Sequence, residues 1–522
     1  MAHRAAALPW WKTAIVYQIY PRSFADTNGD GVGELAGITR HLDHIAWLGA
    51  SAIWLSPIFR SPMRDFGYDV ADYCDIDPVF GTLADLDALV DAAHAKNLKV
   101  ILDWVPAHTS SDHPWFVASR SSRDDPQRDW YVWRDPKPDG SPPNNWTSVW
   151  SDGGPAWALD EKTGQYWLHS FLPEQPDLNW ENPEVVDAMH ATLRFWLDRG
   201  VDGFRADVVH NIGKDPALRD VPDKQAKIPH CTLNDDPRTF EHLRGIRSVL
   251  EDYSGDRVVV GEVFLMDTRR VGAYYVGGEG LHLAFNFPPM FVKWEAAKWR
   301  KCIEEAAGVF GAIDAWPTWV LSNHDFARHR TRLGTEARAR AATTLLLTLR
   351  GTPFLYMGEE LGLEDGIVPP ERVVDPGGRD GCRSPLPWTR APGFGWPDPA
   401  WLPFPPDAAT HSVEAERDDP SSMLHLYRRM IAARRASPAL AAGDLSLIEG
   451  LPDDVLGYDR RSDGDHRRVL IHFADTTADV GNASDFVVEI SSDGRGEGAP
   501  FDGTLAPDQA VVLRRATTGV EC

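Results

Sequence analysis

Four short stretches place charged side chains where apolar runs end. GFRADVV (203–209) carries Arg205 and Asp207 two positions apart, so in an extended strand both point to the same face. A guanidinium and a carboxylate turned into a core are costly unless they are partnered or used. A structural ion pair and a catalytic carboxylate are both open readings of that stretch taken alone. LKVILDW (98–104) presents Asp103 near its end with His108 just beyond, VVVGEVF (258–264) presents Glu262, and TWVLSNHD (318–325) closes on His324 and Asp325. Singly, each acid reads equally well as a helix cap or a solvated loop residue. Together they supply carboxylates, two histidines and an arginine, the equipment for general acid–base and nucleophilic carboxylate chemistry, if one scaffold gathers the ends.

The pattern of elements supplies that scaffold. Apolar runs at 14–20, 51–56, 98–104, 201–208, 258–264, 282–287, 318–325 and 352–357 alternate with amphipathic stretches such as 83–96, 184–199, 237–252 and 336–350. Apolar strands alternating with helices imply a parallel sheet, and eight such units imply a closed (β/α)8 TIM barrel, whose active sites gather at the carboxyl ends of the strands. Two regions break the rhythm. Residues 104–181, rich in Trp, Pro, Asp and Gly, are too long for an ordinary connection and read as a subdomain inserted after strand 3. From 445 to 522 short alternating runs (VLGYDRR, RRVLIHFA, DFVVEIS, QAVVLRR) separated by turn residues read as an all-β sandwich. That leaves 1–103 and 182–444 for the barrel, with a Pro- and Gly-rich loop over roughly 365–420.

The chain has 522 residues and a formal charge of −24, from 53 Lys and Arg against 77 Asp and Glu. Such an acid excess argues against nucleic acid and anionic membrane surfaces as partners, since both require cationic patches. No run approaches a transmembrane span, and MAHRAAALPWW is a poor signal peptide. The five cysteines, Cys74, Cys231, Cys302, Cys382 and Cys522, are odd in number and without metal-ligand spacing, so they read as free thiols in the cytoplasm. A soluble enzyme acting on a neutral small molecule fits this composition; nothing in it fixes an oligomeric state.

DWVPAHTS (103–110), GFRADVV, GEVF (261–264) and SNHD (322–325) resemble, in order and in strand placement, the four signature regions of the α-amylase family of glycoside hydrolases (family 13). QPDLNW (175–180) resembles a fifth region of its α-glucosidase and oligo-1,6-glucosidase branch. The resemblance covers nearly the whole chain. It implies an exo-acting, retaining α-glucosidase that releases glucose from short α-1,4- or α-1,6-linked glucosides through a covalent glucosyl-enzyme, with transglucosylation. Asp207 is then the nucleophile, Glu262 the general acid/base and Asp325 the residue that holds ring hydroxyls at the transition state, as two-carboxylate glycoside hydrolysis requires. Arg205 should depress the Asp207 pKa, while Glu262 sits in an apolar run (Val258 to Val260, Val263, Phe264) of the kind that raises one. His108 and His324 are expected to donate hydrogen bonds to the same ring, and Phe171 and Phe264 to lie near the aglycone.

By the same resemblance, Asp65 and Tyr68 of DFGYD (65–69) bind the non-reducing glucose. Arg417 of ERDDPSS is expected to pair with Asp65 and close the site behind one sugar. DTNGDGVGE (26–34), after strand 1, resembles the branch's metal loop. Asp26, Asn28, Asp30, the Val32 carbonyl and Glu34 would hold a structural Ca2+ or Mg2+, with no cofactor needed for catalysis; oxygen ligands suit such hard cations. Glu34 stands where the branch usually has Asp. Ala107 stands where the family usually has an Asn that helps bind a second calcium, which argues against that site. Val208 after Asp207 leans toward α-1,6 linkages. Two other readings stand beside hydrolysis. A glucosyl transferase or isomerase of the sucrose isomerase or trehalose synthase type shares these residues, and the loop GGRDGCRSPLPW (377–388) beside the acceptor bears on that choice. Amino-acid transporter heavy chains share the fold but carry a membrane span and lack the acids.

Overall fold

A computed structural model describes residues 8–150, 154–222, 235–397, 399–481 and 485–516; Cys231 and Cys522 lie outside them. Eight parallel strands form the central sheet: β1 (Val16–Ile19), β2 (Ala52–Leu55), β3 (Lys99–Trp104), β4 (Gly203–Ala206), β5 (Val258–Gly261), β6 (Leu283–Ala284), β7 (Thr318–Val320) and β8 (Thr352–Tyr356). Backbone ladders join them in the order β6-β5-β4-β3-β2-β1-β8-β7. The remaining seam, β6 to β7, is closed by a side chain: the Thr318 hydroxyl donates to Ala284 O (2.9 Å) and accepts from Asn286 N–H (3.1 Å). The predicted (β/α)8 barrel is therefore present, with its last seam carried by one threonine.

Period-two alternation decides what faces inward. Ala52, Trp54, Ile101, Val258, Val260, Leu283, Phe285, Val320 and Phe354 fill the barrel interior, with Trp11 and Trp316 in the same cluster. Their neighbours Ile53, Leu55, Leu102, Phe204 and Val259 belong to the layer shared with the helices. Gly203 is needed where it stands, because a Cβ there would lie 2.3 Å from Val258 O on the adjoining strand. The expected helices appear as Leu83–Ala95, Pro183–Asp198, Thr239–Glu251 and Glu336–Thr348. Thr82 and Asp85 form a reciprocal cap on the first of these.

Between β3 and β4 the chain forms a helix, Pro114–Ser121, and a three-stranded antiparallel sheet of Trp133–Arg134, Gln165–Leu168 and Trp157–Asp160. The two ends of this inserted unit are held together by Leu178 N–H to Ala107 O (3.0 Å) and Trp180 Nε1–H to Pro106 O (2.7 Å), and the buried Lys214–Asp177 ion pair (3.1 Å) ties it to the barrel. The C-terminal domain is a five-stranded antiparallel sheet, Asp444–Leu447, Val455–Ser462, Asp465–His472, Ala510–Arg515 and Phe486–Ser491, with a smaller two-stranded sheet, Ala478–Asp479 and Thr504–Leu505. One buried arginine of this domain, Arg460, docks it, next to a second, Arg434, on the barrel's own last long helix. Arg434 donates to Leu347 O (2.8 Å) and Leu349 O (3.0 Å), and Arg460 to Thr348 O and to Gly443 O (2.9 Å). The cations thus satisfy carbonyls left over at the end of helix Glu336–Thr348, where the helix dipole favours positive charge. Among the described residues no helix is long and apolar enough to cross a membrane.

Candidate active site

The charged strand ends converge. At the carboxyl end of the barrel lies a cavity of about 300 Å3 lined by Asp65, Tyr68, His108, Trp150, Phe171, Asp207, Val208, Glu262, Phe264, Asp325, Phe326, Gly377 and Arg379. At its floor Arg205, buried and bounded by Trp54 and Tyr68 rings, spans three acids. Nη1 donates to Asp103 Oδ1 (2.8 Å) and Asp207 Oδ1 (2.6 Å), and Nη2 pairs with Glu262 Oε2 (2.7 Å). The remaining Asp103 oxygen accepts from Trp54 Nε1–H and Tyr68 O–H, each at 3.2 Å. The sequence also allows Arg205 a direct contact with substrate; in the structure it lies beneath the cavity and does not line it, so it acts as a positioning group for the three acids.

This sharing reverses one expectation. Burial raises the Asp207 pKa well above the usual carboxylate range. Arg205 opposes that, but Glu262 and Asp103 push it further up. Asp103 is itself pushed up by burial to about 7 despite Arg205. One guanidinium shared among three carboxylates does not offset their burial, so Asp207 and Asp103 both hold a proton to higher pH than a free carboxylate. Nor is Glu262 wrapped only in apolar groups: its Oε2 also accepts Val208 N–H at 3.0 Å.

Val208 makes that contact through its backbone. Strand β4 ends at Ala206, and Val208 adopts a left-handed conformation (φ 33°, ψ 41°) that a β-branched residue rarely takes. Such strain concentrates at functional sites; here it turns the chain so that Val208 N–H meets Glu262 while the residue lines the cavity.

Across the cavity Asp325 stands on the turn after β7, where Asn323 Oδ1 accepts the N–H groups of Asp325 (3.0 Å) and Phe326 (3.1 Å). Burial alone would raise Asp325, but His324, Arg379, Arg383 and Arg205 more than reverse it and hold the carboxyl well below its usual range. Burial pushes His324 down to about 3, so its ring is neutral near pH 7 and the guanidiniums keep Asp325 ionised. Both His324 nitrogens are taken, Nδ1 by the Gln18 amide (2.8 Å) and Nε2 by the Tyr68 hydroxyl. The ring stacks on Tyr68 at 5.5 Å. It does not line the cavity, so His324 positions Tyr68 and Asp325, a correction to its expected contact with sugar. His108 does line it. Its Nε2 meets Tyr68 O (3.0 Å) and the Gln175 amide (3.1 Å), and its buried Nδ1 has no hydrogen-bond partner. Phe171 lies against the His108 ring at 5.2 Å.

The expected Arg417–Asp65 pair does not form. Arg417 instead lies over Trp47 (4.5 Å) with Nη2 beside His44 Nδ1 (3.3 Å), on the outer helices. The residue that grips Asp65 is Arg379, from the long loop after β8. Nη2 reaches Asp65 Oδ1 (2.6 Å), Nη1 reaches Asp325 Oδ1 (3.1 Å), and Nε donates to buried Asp375 (2.9 Å). Arg383 braces the same knot through Asp375 (3.1 Å) and His324 O (2.8 Å), and Gln175 holds the other Asp65 oxygen (3.1 Å). Arg379, Gln175, Trp150 and Phe326 were not singled out as site residues in the sequence. The available signal was DPGGRDGCR (375–383), an acid followed by arginines four and eight positions later, in a loop noted only for the acceptor.

In the loop after β1, Asp26 Oδ1 accepts Asn28 N–H (3.0 Å) and Gly29 N–H (2.7 Å), Oδ2 accepts Gly31 N–H (2.9 Å), and Asp30 accepts Val32 N–H (2.8 Å). Glu34 is withdrawn from this set. It caps helix Leu35–Leu48 through Gly37 N–H (3.1 Å) and accepts from the Thr27 amide and hydroxyl. Among the described residues no group of three or more His, Cys, Asp and Glu side chains is arranged to hold a metal.

With this geometry in view, comparison with known proteins is direct. Residues 18–443 match the α-amylase catalytic domain. The chain is 43% identical over 508 residues to a probable α-glucosidase of Rhizobium meliloti, covering 90% of each chain. It is 37% identical over 525 residues to an oligo-1,6-glucosidase of Parageobacillus thermoglucosidasius, covering 90% of this chain and 91% of that one. The crystal structure of an α-glucosyl transfer enzyme superposes with a TM-score of 0.91 at 40% identity, over 98% of this chain and 100% of the other. Strand order, gathered carboxylates and these matches agree: the chain belongs to the α-amylase family of glycoside hydrolases, in its α-glucosidase and oligo-1,6-glucosidase branch.

Proposed function

We propose that this enzyme is an exo-acting, retaining α-glucosidase of short α-linked glucosides that also transfers glucose to hydroxyl acceptors. The observation that carries the reading is the single guanidinium of Arg205 joining Asp207 and Glu262 beneath a cavity closed at one end by Asp65–Arg379. Two carboxyls bridged by one guanidinium stand as a close pair at the cavity, an arrangement that favours a covalent intermediate over direct displacement. The terminal glucose sits with its hydroxyls toward Asp65, Arg379, His108 and Asp325. As the glycosidic oxygen approaches, Glu262 donates a proton to it and the Asp207 carboxylate attacks C1. Glu262 then takes a proton from water or another hydroxyl, which attacks C1 and frees Asp207. Ionised Asp325 strengthens its bonds to the ring as positive charge develops.

Time-resolved proton NMR on maltose, isomaltose, sucrose and trehalose tests this: α-glucose is expected first, and β-glucose first refutes retention. Val208 at the cavity wall supports a lean toward α-1,6 linkages, so Val208→Thr is expected to shift relative kcat/KM from isomaltose toward maltose. The similarity to an α-glucosyl transfer enzyme favours transfer or isomerisation as the second reading, and the same spectra report it as new glucosides in place of free glucose. A cation in the loop after β1 would be held by Asp26, Asn28, Asp30 and backbone oxygen at Val32, with Glu34 as helix cap. It would stiffen that loop and supply no chemistry to cleavage; a melting temperature raised by Ca2+ and insensitive in Asp30→Ala tests it. The described thiols, Cys74, Cys302 and Cys382, are free, which supports a cytoplasmic location.

A further inference from the structure

A second recess, of about 550 Å3, opens at one end of the five-stranded sheet of the C-terminal domain, where Arg461, Asp465, His466, Arg467, Arg514 and Arg515 line it. Four arginines gathered in one place stand out in a chain of formal charge −24. Their register makes the gathering costly. Arg460, Arg467 and Arg514 lie directly opposite one another on three adjacent strands, and like charges facing across a ladder repel. Arg460 is buried and spent on the carbonyls of Thr348 and Gly443. The nearby acids are spent too. Asp465 accepts from the Ser437 hydroxyl and Ala439 N–H (3.0 Å) and meets Arg467, whose Nε is held by Glu489. Asp459 serves Arg461 (2.7 Å), Arg468 (2.9 Å) and His466 (3.1 Å) at once. Arg514 and Arg515, both exposed, have no ion-pair partner among the described residues.

From this we infer that the recess binds a phosphate group, free or carried by a small molecule, at a site separate from the catalytic cavity. The charge count favours it. A phosphate monoester carries about −1.5 to −2 near pH 7, which matches the two uncompensated guanidiniums, whereas a single carboxylate matches one. The geometry favours it as well, because the guanidinium fork fits paired phosphate oxygens. An anion seated between Arg467 and Arg514 also turns their repulsion across the ladder into attraction. The volume falls in the roughly 300–1,000 Å3 range of small-molecule pockets. No Phe, Tyr or Trp lines the recess, so it offers a phosphate its partners and a nucleobase no stacking face. The acid excess elsewhere on the chain repels an extended nucleic acid backbone, which restricts the occupant to a small phosphate compound.

Calorimetric titration and thermal melts of the full-length enzyme test this, with inorganic phosphate, glucose 6-phosphate and succinate compared at one ionic strength held by NaCl. Both phosphates are expected to bind and to raise the melting temperature, and succinate to bind at least about 10-fold more weakly. Arg514→Ala and Arg515→Ala should each lower phosphate affinity at least about 10-fold, the scale of one hydrogen bond to a charged group. Neither residue lines the catalytic cavity, so kcat/KM on maltose should stay within about 2-fold. Arg514→Lys keeps the charge without the fork and should recover only part of the loss. Tighter binding of glucose 6-phosphate identifies a sugar phosphate as the occupant, and equal affinities identify free phosphate. Equal binding of phosphate and succinate overturns the inference, as does an unchanged affinity in both alanine variants. Glucose 6-phosphate binding abolished by saturating glucose overturns it too, by placing that ligand in the catalytic cavity. Circular dichroism establishes that each variant is folded, and the titration needs no turnover, so its failure leaves the glucosidase reading standing.

Discussion

Arg379→Ala is expected to abolish most of the enzyme's discrimination for a terminal glucose, whereas Arg417→Ala should leave it nearly intact. Arg379 donates to Asp65 at 2.6 Å and to Asp325 at 3.1 Å, both on the cavity wall. A hydrogen bond to a charged group contributes about 1.5–3 kcal/mol, and a buried carboxylate left alone costs more. Two such bonds give roughly 3–6 kcal/mol. Arg383, 3.4 Å from Asp325 and 3.1 Å from Asp375, offsets part of that, so the lower half of the range applies. The expected loss in kcat/KM is about 10²–10³-fold. Asp325 would also lose part of what holds it ionised, so the acid limb of the pH–rate profile should move to higher pH. Arg379→Lys keeps the charge but cannot span Asp65, Asp325 and Asp375 at once, and should recover only part of the loss. Arg417 touches His44 and Trp47, and its removal should change kcat/KM by less than about 3-fold, as for other half-exposed positions away from the site. Steady-state kinetics on isomaltose and maltose, with circular dichroism to establish folding, make the comparison. A folded Arg379→Ala enzyme within 10-fold of wild type, or an Arg417→Ala loss as large as that of Arg379→Ala, would refute the assignment.

Thr318→Val removes both hydrogen bonds across the β6–β7 seam and leaves Asn286 N–H and Ala284 O buried without partners; a loss of about 2–3 kcal/mol should appear as a lower denaturant midpoint, and an unchanged midpoint would mean the barrel closes by other contacts. Glu359, pushed up by burial to about 8 with Tyr427 O–H on one oxygen at 3.0 Å, holds its proton in the folded state. Its contribution is therefore favourable at low pH and lost as pH rises from about 4.5 toward 8. Glu359→Gln keeps an acceptor for Tyr427, and its melting temperature relative to wild type should rise with pH across that window; a pH-independent difference contradicts the assignment. Lys214→Met leaves buried Asp177 without its ammonium, which for a broken buried pair costs about 3–5 kcal/mol. The inserted unit should loosen first, seen as faster proteolysis between residues 104 and 181 and a higher KM, and wild-type protease resistance would show the pair to be dispensable.

Much of the site was legible in the sequence because strands report their own geometry. Asp103, Arg205, Asp207 and Glu262 lie in or directly after apolar runs of period two, so side and end follow from position alone, and eight βα units bring the ends to one mouth. Asp65 and Tyr68 were reached through a short motif and do line the cavity. Arg379 was not reached, because the long loop after β8 has no period and its partner Asp65 is 314 residues away in sequence. Without coordinates nothing separates it from Arg417, another arginine in a polar segment.

What the sequence determined by itself, then, is the barrel, its inserted and C-terminal units, and the set of acids gathered at its mouth, all consequences of local periodicity. Tertiary structure alone decided how those acids share charge. One guanidinium serves Asp103, Asp207 and Glu262, so Asp207 is raised where adjacency to Arg205 predicted depression. It also decided that His324 serves Tyr68 and Asp325 from behind the cavity, and that Glu34 caps a helix. These outcomes depend on how many partners compete for one group within a few ångströms, a count that spacing along the chain does not contain.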